Sequence, residues 1–112
     1  MFVIPNKIKI GWKNYDIRHC EECLNSGDEL FGQIDYQQCI ITLREKNTSM
    51  QNECTLIHEA LHGISEMYGL DLSEDTVTRL ANALFTFLFD NETTVKKSFG
   101  FVTETMAEVR HK

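Results

Sequence analysis

The spacing of apolar side chains changes near residue 48, and no other feature of the chain limits its possible folds as strongly. Before that point the apolar residues come in short runs. Residues 7–17 alternate roughly between apolar and polar side chains, as in a half-buried strand. Residues 30–34 and 39–43 are two further runs, and the four residues between them favour an antiparallel hairpin. The first half therefore predicts a small antiparallel sheet of about three strands.

The second half has the periodicity of two helices. In residues 49–68 apolar side chains recur at helical spacing, namely at Ile57, Ala60, Leu61, Ile64 and Tyr68. Capping candidates stand at residues 47–49, and Gly69 is a natural C-terminal stop. A second helix is expected from its N-cap Ser73 to about Phe89. In the tail after Asn91, residues 95–102 could form a strand and residues 103–110 a helical turn or two. Because the link is short, the two helices should be antiparallel neighbours, which makes the fold α+β.

Length and composition fit a single domain covering residues 1–112. Hydrophobic residues make up 42% of the chain and charged residues 25%, which is ordinary for a globular protein. The formal net charge of −6 and the scattered basic residues argue against nucleic-acid binding, which needs a basic surface. No segment has the pattern of an export signal or the length of a membrane span. We therefore expect a cytoplasmic protein with no nucleic-acid or membrane partner.

Four cysteines are present, at Cys20, Cys23, Cys39 and Cys54. Without an export signal we expect free thiols. Cys20 and Cys23 form a single CxxC, whereas a structural zinc site usually needs a second such pair at suitable spacing. The two glutamates between them would raise a thiol pKa rather than lower it, which argues against a redox site. We interpret this CxxC as having no part in the function.

The motif that carries chemistry is His58-Glu59-x-x-His62, an HExxH pattern in the middle of the first predicted helix. Residues four apart on a helix project from the same side, so the two imidazoles can bind one metal ion. Glu59 lies about 100° around the helix from His58 and can reach a water molecule held by that metal. Zinc would lower the pKa of this water and polarise a carbonyl, and the glutamate would take the proton. His58 and His62 are therefore candidate zinc ligands, with Glu59 as the general base.

A catalytic zinc site needs a third protein ligand, and the sequence leaves its identity open. Glu74, in the first turn of the second helix, has the right ligand type, although an acidic residue there is also favourable for the helix dipole. Counting turns on antiparallel helices places residues 78–82 opposite His62, so Asp75 or Asn82 could be nearer to the metal. Cys54 is a further alternative, one turn before His58. His19 and His111 are remote in the sequence.

These residues resemble a known family. HEALHG on one helix, followed by a short link and SEDTVTRLANALFTFLFDN, is similar to small phage and prophage proteins related to the ImmA/IrrE-type zincin metallopeptidases. The segments KIGWKNYDIR and ELFGQIDYQQCIITL resemble the sheet of those proteins, so the resemblance covers about residues 7–91. In some relatives a glutamate stands at the position of Thr78, and the acidic ligand lies further from the second histidine.

The resemblance implies a zincin-like domain, with a short antiparallel sheet, the HExxH helix and a second helix that supplies an acidic ligand. Its zinc ligands would be His58, His62 and Glu74, and its catalytic base Glu59. The implied activity is zinc-dependent hydrolysis of peptide bonds in a protein partner, such as a repressor, in the bacterial cytoplasm. The alternative is a non-catalytic zincin-like module that regulates by binding a host or phage protein.

Overall fold

A computed structural model describes residues 3–20 and 31–94 of the chain. Its strands are β1 (Lys7–Ile10), β2 (Lys13–Cys20), β3 (Gly32–Asp35) and β4 (Ile40–Arg44). Its helices are α1 (Ser49–Tyr68) and α2 (Glu74–Asp90). The predicted α+β class is confirmed. The predictions for the tail, including His111, lie outside the described residues.

The sheet differs from the prediction in strand number and direction. Gly11, with φ at 60°, begins a two-residue turn that splits residues 7–17 into β1 and β2. The strand order is β1-β2-β4-β3, and β2 pairs with β4 in parallel, so the sheet is mixed rather than antiparallel. The predicted hairpin of β3 and β4 is present. Alternation along a strand shows which face is buried but carries no information about the direction of a distant partner.

The core lies between one face of the sheet and α1. The central strands β2 and β4 supply most of its buried apolar side chains, with one each from β1 and α1: Tyr15, Ile17, Ile41, Leu43, Ile10 and Leu56. Leu56 is thus the most buried apolar residue of α1, whereas the predicted face residues Ile57 and Leu61 are only half-buried. Among the described elements α2 contacts α1 alone. The layers are therefore sheet, α1 and α2, in that order.

Local capping fixes where the helices begin and end. Thr48 and Gln51 form a capping box at the start of α1, and Gly69 ends the helix in the left-handed conformation. Ser73 caps α2 by accepting a hydrogen bond from the backbone N–H of Thr76. These boundaries agree with the predicted ones. Neither of the two described helices has the length and apolar character that crossing a bilayer requires.

The cysteine expectation is only partly confirmed. Cys39 and Cys54 are free thiols, but Cys20 is disulfide-bonded. The prediction of a free thiol at Cys20 is wrong, because the distance between two sulfurs depends on how the chain folds locally and not on the expected redox compartment. Cys23 lies outside the described residues.

Candidate metal centre

The two histidines of the HExxH motif lie on the side of α1 that faces α2. Their imidazole centroids are 4.9 Å apart, as expected for positions i and i+4. The side chains of His58 and His62 are 22% and 18% exposed, so each ring is sheltered but reachable. Burial lowers the pKa of His58, an effect that the charge of Glu74 opposes and that of His62 reinforces. This lowering favours the neutral imidazole, which is the form that binds a metal.

Glu74, the first residue of α2, contacts both rings with one carboxylate. Its Oε1 lies 2.8 Å from Nε2 of His58, and its Oε2 lies 2.7 Å from Nε2 of His62. The three side chains that the sequence names as candidate ligands therefore converge on one point. The carboxylate itself is 70% exposed and can shift without disturbing the core.

The expectation that residues 78–82 lie opposite His62 is wrong, and the link between the helices explains why. The backbone N–H of Leu72 donates a hydrogen bond of 2.9 Å to Oγ of Ser65, so the chain folds back by one turn before α2 begins. The new helix therefore starts level with Ser65 and not with the end of α1. From there the long side chain of Glu74 reaches the turn that carries His62.

The alternative third ligands have other partners. Asp75 pairs with Arg79 across one turn of α2 at 3.2 Å. Asn82 accepts a hydrogen bond from the thiol of Cys54 at 3.4 Å, and burial raises the pKa of that thiol, so it stays protonated. His19 is an exposed residue of β2 and is not part of the cluster.

Glu59 is buried beside the two rings, with only 6% of its surface exposed. Burial raises the pKa of Glu59 to about 7, and the charge of Glu74 adds to this effect. One potential ligand atom from each of His58, Glu59 and His62 lies within 4.8 Å of the others, so this group could also hold a metal ion. Two carboxylates thus compete for the role of third ligand. The direct contacts favour Glu74, because its oxygens are already adjacent to both nitrogens.

The dimensions of the cluster can be compared with what zinc requires. Ligands at 2.0–2.2 Å in a tetrahedral arrangement are separated from each other by roughly 3.4 Å. The Nε2–oxygen distances of 2.7 and 2.8 Å are shorter than this, so the carboxylate has to withdraw by about 0.6 Å to admit an ion. The exposed side chain of Glu74 permits such a movement. Two imidazoles and one carboxylate are also a ligand set that zinc uses in hydrolases, so these residues fit the metal.

An open cleft of about 690 Å³ runs past the cluster. Its lining joins three elements: β3, the histidine face of α1, and the face of α2 that carries Glu74, Thr78 and Asn82. Tyr36, at the turn after β3, lines this cleft and also a smaller cavity of about 340 Å³ on the other side of His62. Burial raises the pKa of Tyr36, and Glu59, Glu66 and Glu74 raise it further, so the phenol keeps its proton.

The strand that borders the cleft is at the edge of the sheet. The backbone N–H of Arg44 donates to the carbonyl of Phe31, which fixes the alternation of hydrogen-bonded pairs between β3 and β4. By this alternation the N–H and C=O groups of Gly32 and Ile34 point away from β4. No described strand pairs with that side of β3. The cleft is thus bordered by backbone groups that an extended chain could pair with.

The sequence pattern identified the histidines and both carboxylates but gave no sign of Tyr36 or of the exposed groups of β3. A tyrosine in a hairpin turn resembles any other polar turn residue, and its position beside His62 depends on how the sheet packs against α1. Gly63, directly after His62, serves packing, because a Cβ there would lie 2.7 Å from Cδ1 of Ile10. The chain matches no protein-family model, no curated protein and no solved structure.

Proposed function

We propose that this protein is a zinc-dependent metallopeptidase with a zincin-like fold, in which His58, His62 and Glu74 hold the metal and Glu59 is the general base. The observation that carries the proposal is the contact of one carboxylate with Nε2 of both histidines, at 2.8 and 2.7 Å. A cluster of this kind on two helices, open to a cleft, is typical of a catalytic zinc site. The resemblance of the HExxH segment to the ImmA/IrrE-type proteins supports the same activity.

The residues of the chain divide the work of hydrolysis. When bound, zinc supplies Lewis acidity, which eases the deprotonation of water and polarises a carbonyl. Glu59 accepts the proton of that water, and its burial beside the histidines keeps the carboxylate directed at the cluster. Tyr36 keeps its phenolic proton and lines the same cleft, so it can donate a hydrogen bond to the carbonyl oxygen under attack.

The proposed substrate is an extended segment of a protein. An extended peptide can pair with the outward N–H and C=O groups of Gly32 and Ile34, which is a common way for a sheet edge to bind a chain. Pairing of this kind holds the peptide backbone against the cleft that contains the histidines. The resemblance makes a repressor protein of a phage or mobile element the first substrate to assay, and such a substrate places the enzyme in the bacterial cytoplasm.

A second function is favoured by the same contacts. Because Glu74 is already bound to both imidazoles, the cluster is complete as a hydrogen-bonded group and can stabilise the joint between α1 and α2 without a metal. In that case the protein is a non-catalytic zincin-like module that binds a host or phage protein. The two functions differ in what zinc does to the protein.

The test combines zinc binding with proteolysis. The purified protein is expected to bind one equivalent of zinc and to cleave unfolded casein, used here as a general substrate. Glu59→Gln should keep the zinc and lose the cleavage, whereas Glu74→Gln should bind zinc about 100-fold more weakly or worse and also lose the cleavage. Asp75→Asn is the matched control, because Asp75 is the neighbouring acidic residue and pairs with Arg79 instead.

Two results would decide against the enzyme. One is a protein that binds no zinc in calorimetry, and the other is cleavage of casein or a repressor that persists unchanged in Glu59→Gln, which would point to a contaminating protease. Zinc binding without any cleavage of either substrate favours the non-catalytic module.

A further inference from the structure

The cleft contains a polar pair that the proposed chemistry does not use. Cys54, one turn before His58, donates its thiol hydrogen to Oδ1 of Asn82 at 3.4 Å. Both residues line the cleft. On the basis of the proposed peptidase function, we propose that Asn82 is a substrate-binding residue that makes the enzyme prefer longer peptides. It binds a main-chain carbonyl of the peptide, three to four residues from the bond that is cleaved.

The position of Asn82 sets that distance. Glu74, Thr78 and Asn82 are spaced by four residues and share the face of α2 that borders the cleft. Eight residues of helix place Asn82 about 12 Å from Glu74 along the axis of α2. An extended peptide advances about 3.3 Å per residue, so this length corresponds to three to four peptide residues. Because Asn82 is bonded to Cys54, one turn or about 6 Å before His58, it lies beside the cluster of histidines and Glu74 and near enough to contact the same peptide.

The hydrogen bond with Cys54 sets what Asn82 can bind. An amide offers one acceptor oxygen and two N–H donors, and the thiol hydrogen bond directs the oxygen toward Cys54. The raised pKa of Cys54 keeps this thiol protonated, so it acts as a donor and does not repel the oxygen. Among the described residues Nδ2 of Asn82 has no hydrogen-bond partner, and its side chain is exposed. The group presented to the cleft is thus an N–H donor, which matches a carbonyl oxygen and not an amide N–H.

The direction of β3 determines whether Asn82 contacts the part of the peptide before the cleaved bond or the part after it. Gly32, at the start of β3, lies against Thr55, and Ile34 lies against Gly63. A peptide that pairs with β3 in the more stable antiparallel direction therefore runs from the Gly63 end toward the Thr55 end. Its C-terminal part reaches Cys54 and Asn82. The carbonyl bound by Asn82 belongs to the third or fourth residue after the cleaved bond.

The experiment uses the zinc-loaded protein and quenched fluorescent peptides built on a cleavage site that the protein selects in casein. The peptides carry one to five residues after the cleaved bond, with a constant N-terminal part. For the wild-type protein, kcat/KM should rise by about 3- to 10-fold when the third or fourth residue after the cleaved bond is added, as expected for one hydrogen bond. Asn82→Leu should remove this increase, and the loss should appear in KM.

Further variants separate the hydrogen bond from a change of shape. Asn82→Asp replaces the donor by an acceptor and should weaken the binding of the long peptides more than Asn82→Leu does. Cys54→Ser keeps a donor to the amide oxygen and should retain the rise in kcat/KM with peptide length. Cys54→Ala should lose part of this rise. Thr86→Leu is the matched control, because Thr86 is an exposed residue one turn further along α2 and does not line the cleft.

These measurements distinguish the loss of the Asn82 subsite from the absence of peptidase activity. If the wild-type protein and Asn82→Leu both cleave, and their kcat/KM values depend equally on peptide length, the subsite is overturned. If the protein cleaves nothing, the side-chain amide signal of Asn82 is followed by NMR in zinc-loaded Glu59→Gln while a short and a long peptide from one unfolded segment of casein are added. A shift of this signal with the long peptide alone supports the subsite. No shift, with the short or the long peptide, overturns it.

Discussion

The two sides of α1 are packed very differently. On the sheet side, α1 covers a core in which Tyr15, Ile41 and Leu43 are completely buried. On the other side, α2 is held mainly by Val77 and Ala81, which are its only fully buried residues, and much of the rest of its apolar surface is exposed. The histidines lie where these two regions meet. The proposed metal site would therefore take two ligands from the well-packed part of the molecule and its third from the less buried part.

This difference indicates how the site and the fold depend on each other. The geometry of His58 and His62 relative to one another is fixed by α1 and survives any change in α2. The approach of Glu74 depends on a helix that contributes little to the core. Zinc, if bound by all three, should stabilise the position of α2 more than that of the sheet.

The largest effect is expected for Leu43→Ala. Leu43 is fully buried in β4, and removal of its side chain leaves a cavity in the core. Leucine-to-alanine changes in such positions lower the free energy of unfolding by about 2–5 kcal/mol. Denaturation in urea measures this change. If Leu43→Ala costs no more than truncation of the exposed Leu84 of α2, the contrast between the two sides of α1 is wrong.

A smaller effect is expected when zinc is added or its acidic ligand is removed. Zinc at a hundred times its dissociation constant should raise the free energy of unfolding by about 2.7 kcal/mol. Glu74→Gln should weaken zinc binding by about 100-fold or more, since a ligand matters at least as much as the groups that orient ligands. Thermal unfolding with and without zinc measures both. Asp75→Asn should retain the full zinc-dependent shift, and an equal loss in both variants would contradict the assignment of Glu74.

Gly32→Ala tests how closely the cleft border is packed against α1. A Cβ at Gly32 would lie 2.6 Å from Cγ2 of Thr55 and 2.8 Å from the backbone oxygen of Thr42. Because a backbone atom cannot move aside cheaply, the variant should lose about 1–3 kcal/mol of stability. Amide exchange should show the loosening at β3 first. Protection that falls in α2 but not in β3 would contradict this prediction.

The smallest effect is expected at the end of α1, for Gly69→Ala. Gly69 has φ at 65°, and a Cβ there would meet no atom within 4 Å. The only cost is the left-handed backbone conformation, about 1 kcal/mol. Chemical denaturation measures it. A loss comparable to that of Gly32→Ala would mean that Gly69 has contacts that its open surroundings do not suggest.

The features that could be predicted from the sequence are the local ones. The ends of α1 follow from Thr48 and Gly69, and the pairing of His58 with His62 follows from helical spacing alone. The strand order could not be predicted, because the parallel pairing of β2 with β4 joins segments that no local pattern connects. The approach of Glu74 was anticipated from its ligand type, whereas a count of turns argued against it, since that count could not include the hydrogen bond between Ser65 and Leu72.

That hydrogen bond between a serine hydroxyl and a link amide has a consequence for how such sites vary. It determines how many turns of α2 separate its first residue from the histidines. In a chain whose link folded back one turn less, the residue delivered to the imidazoles would be four positions later, which here is Thr78. The acidic residue can therefore occupy different sequence positions in proteins with the same geometry, and a search pattern with a fixed gap after the second histidine would overlook them.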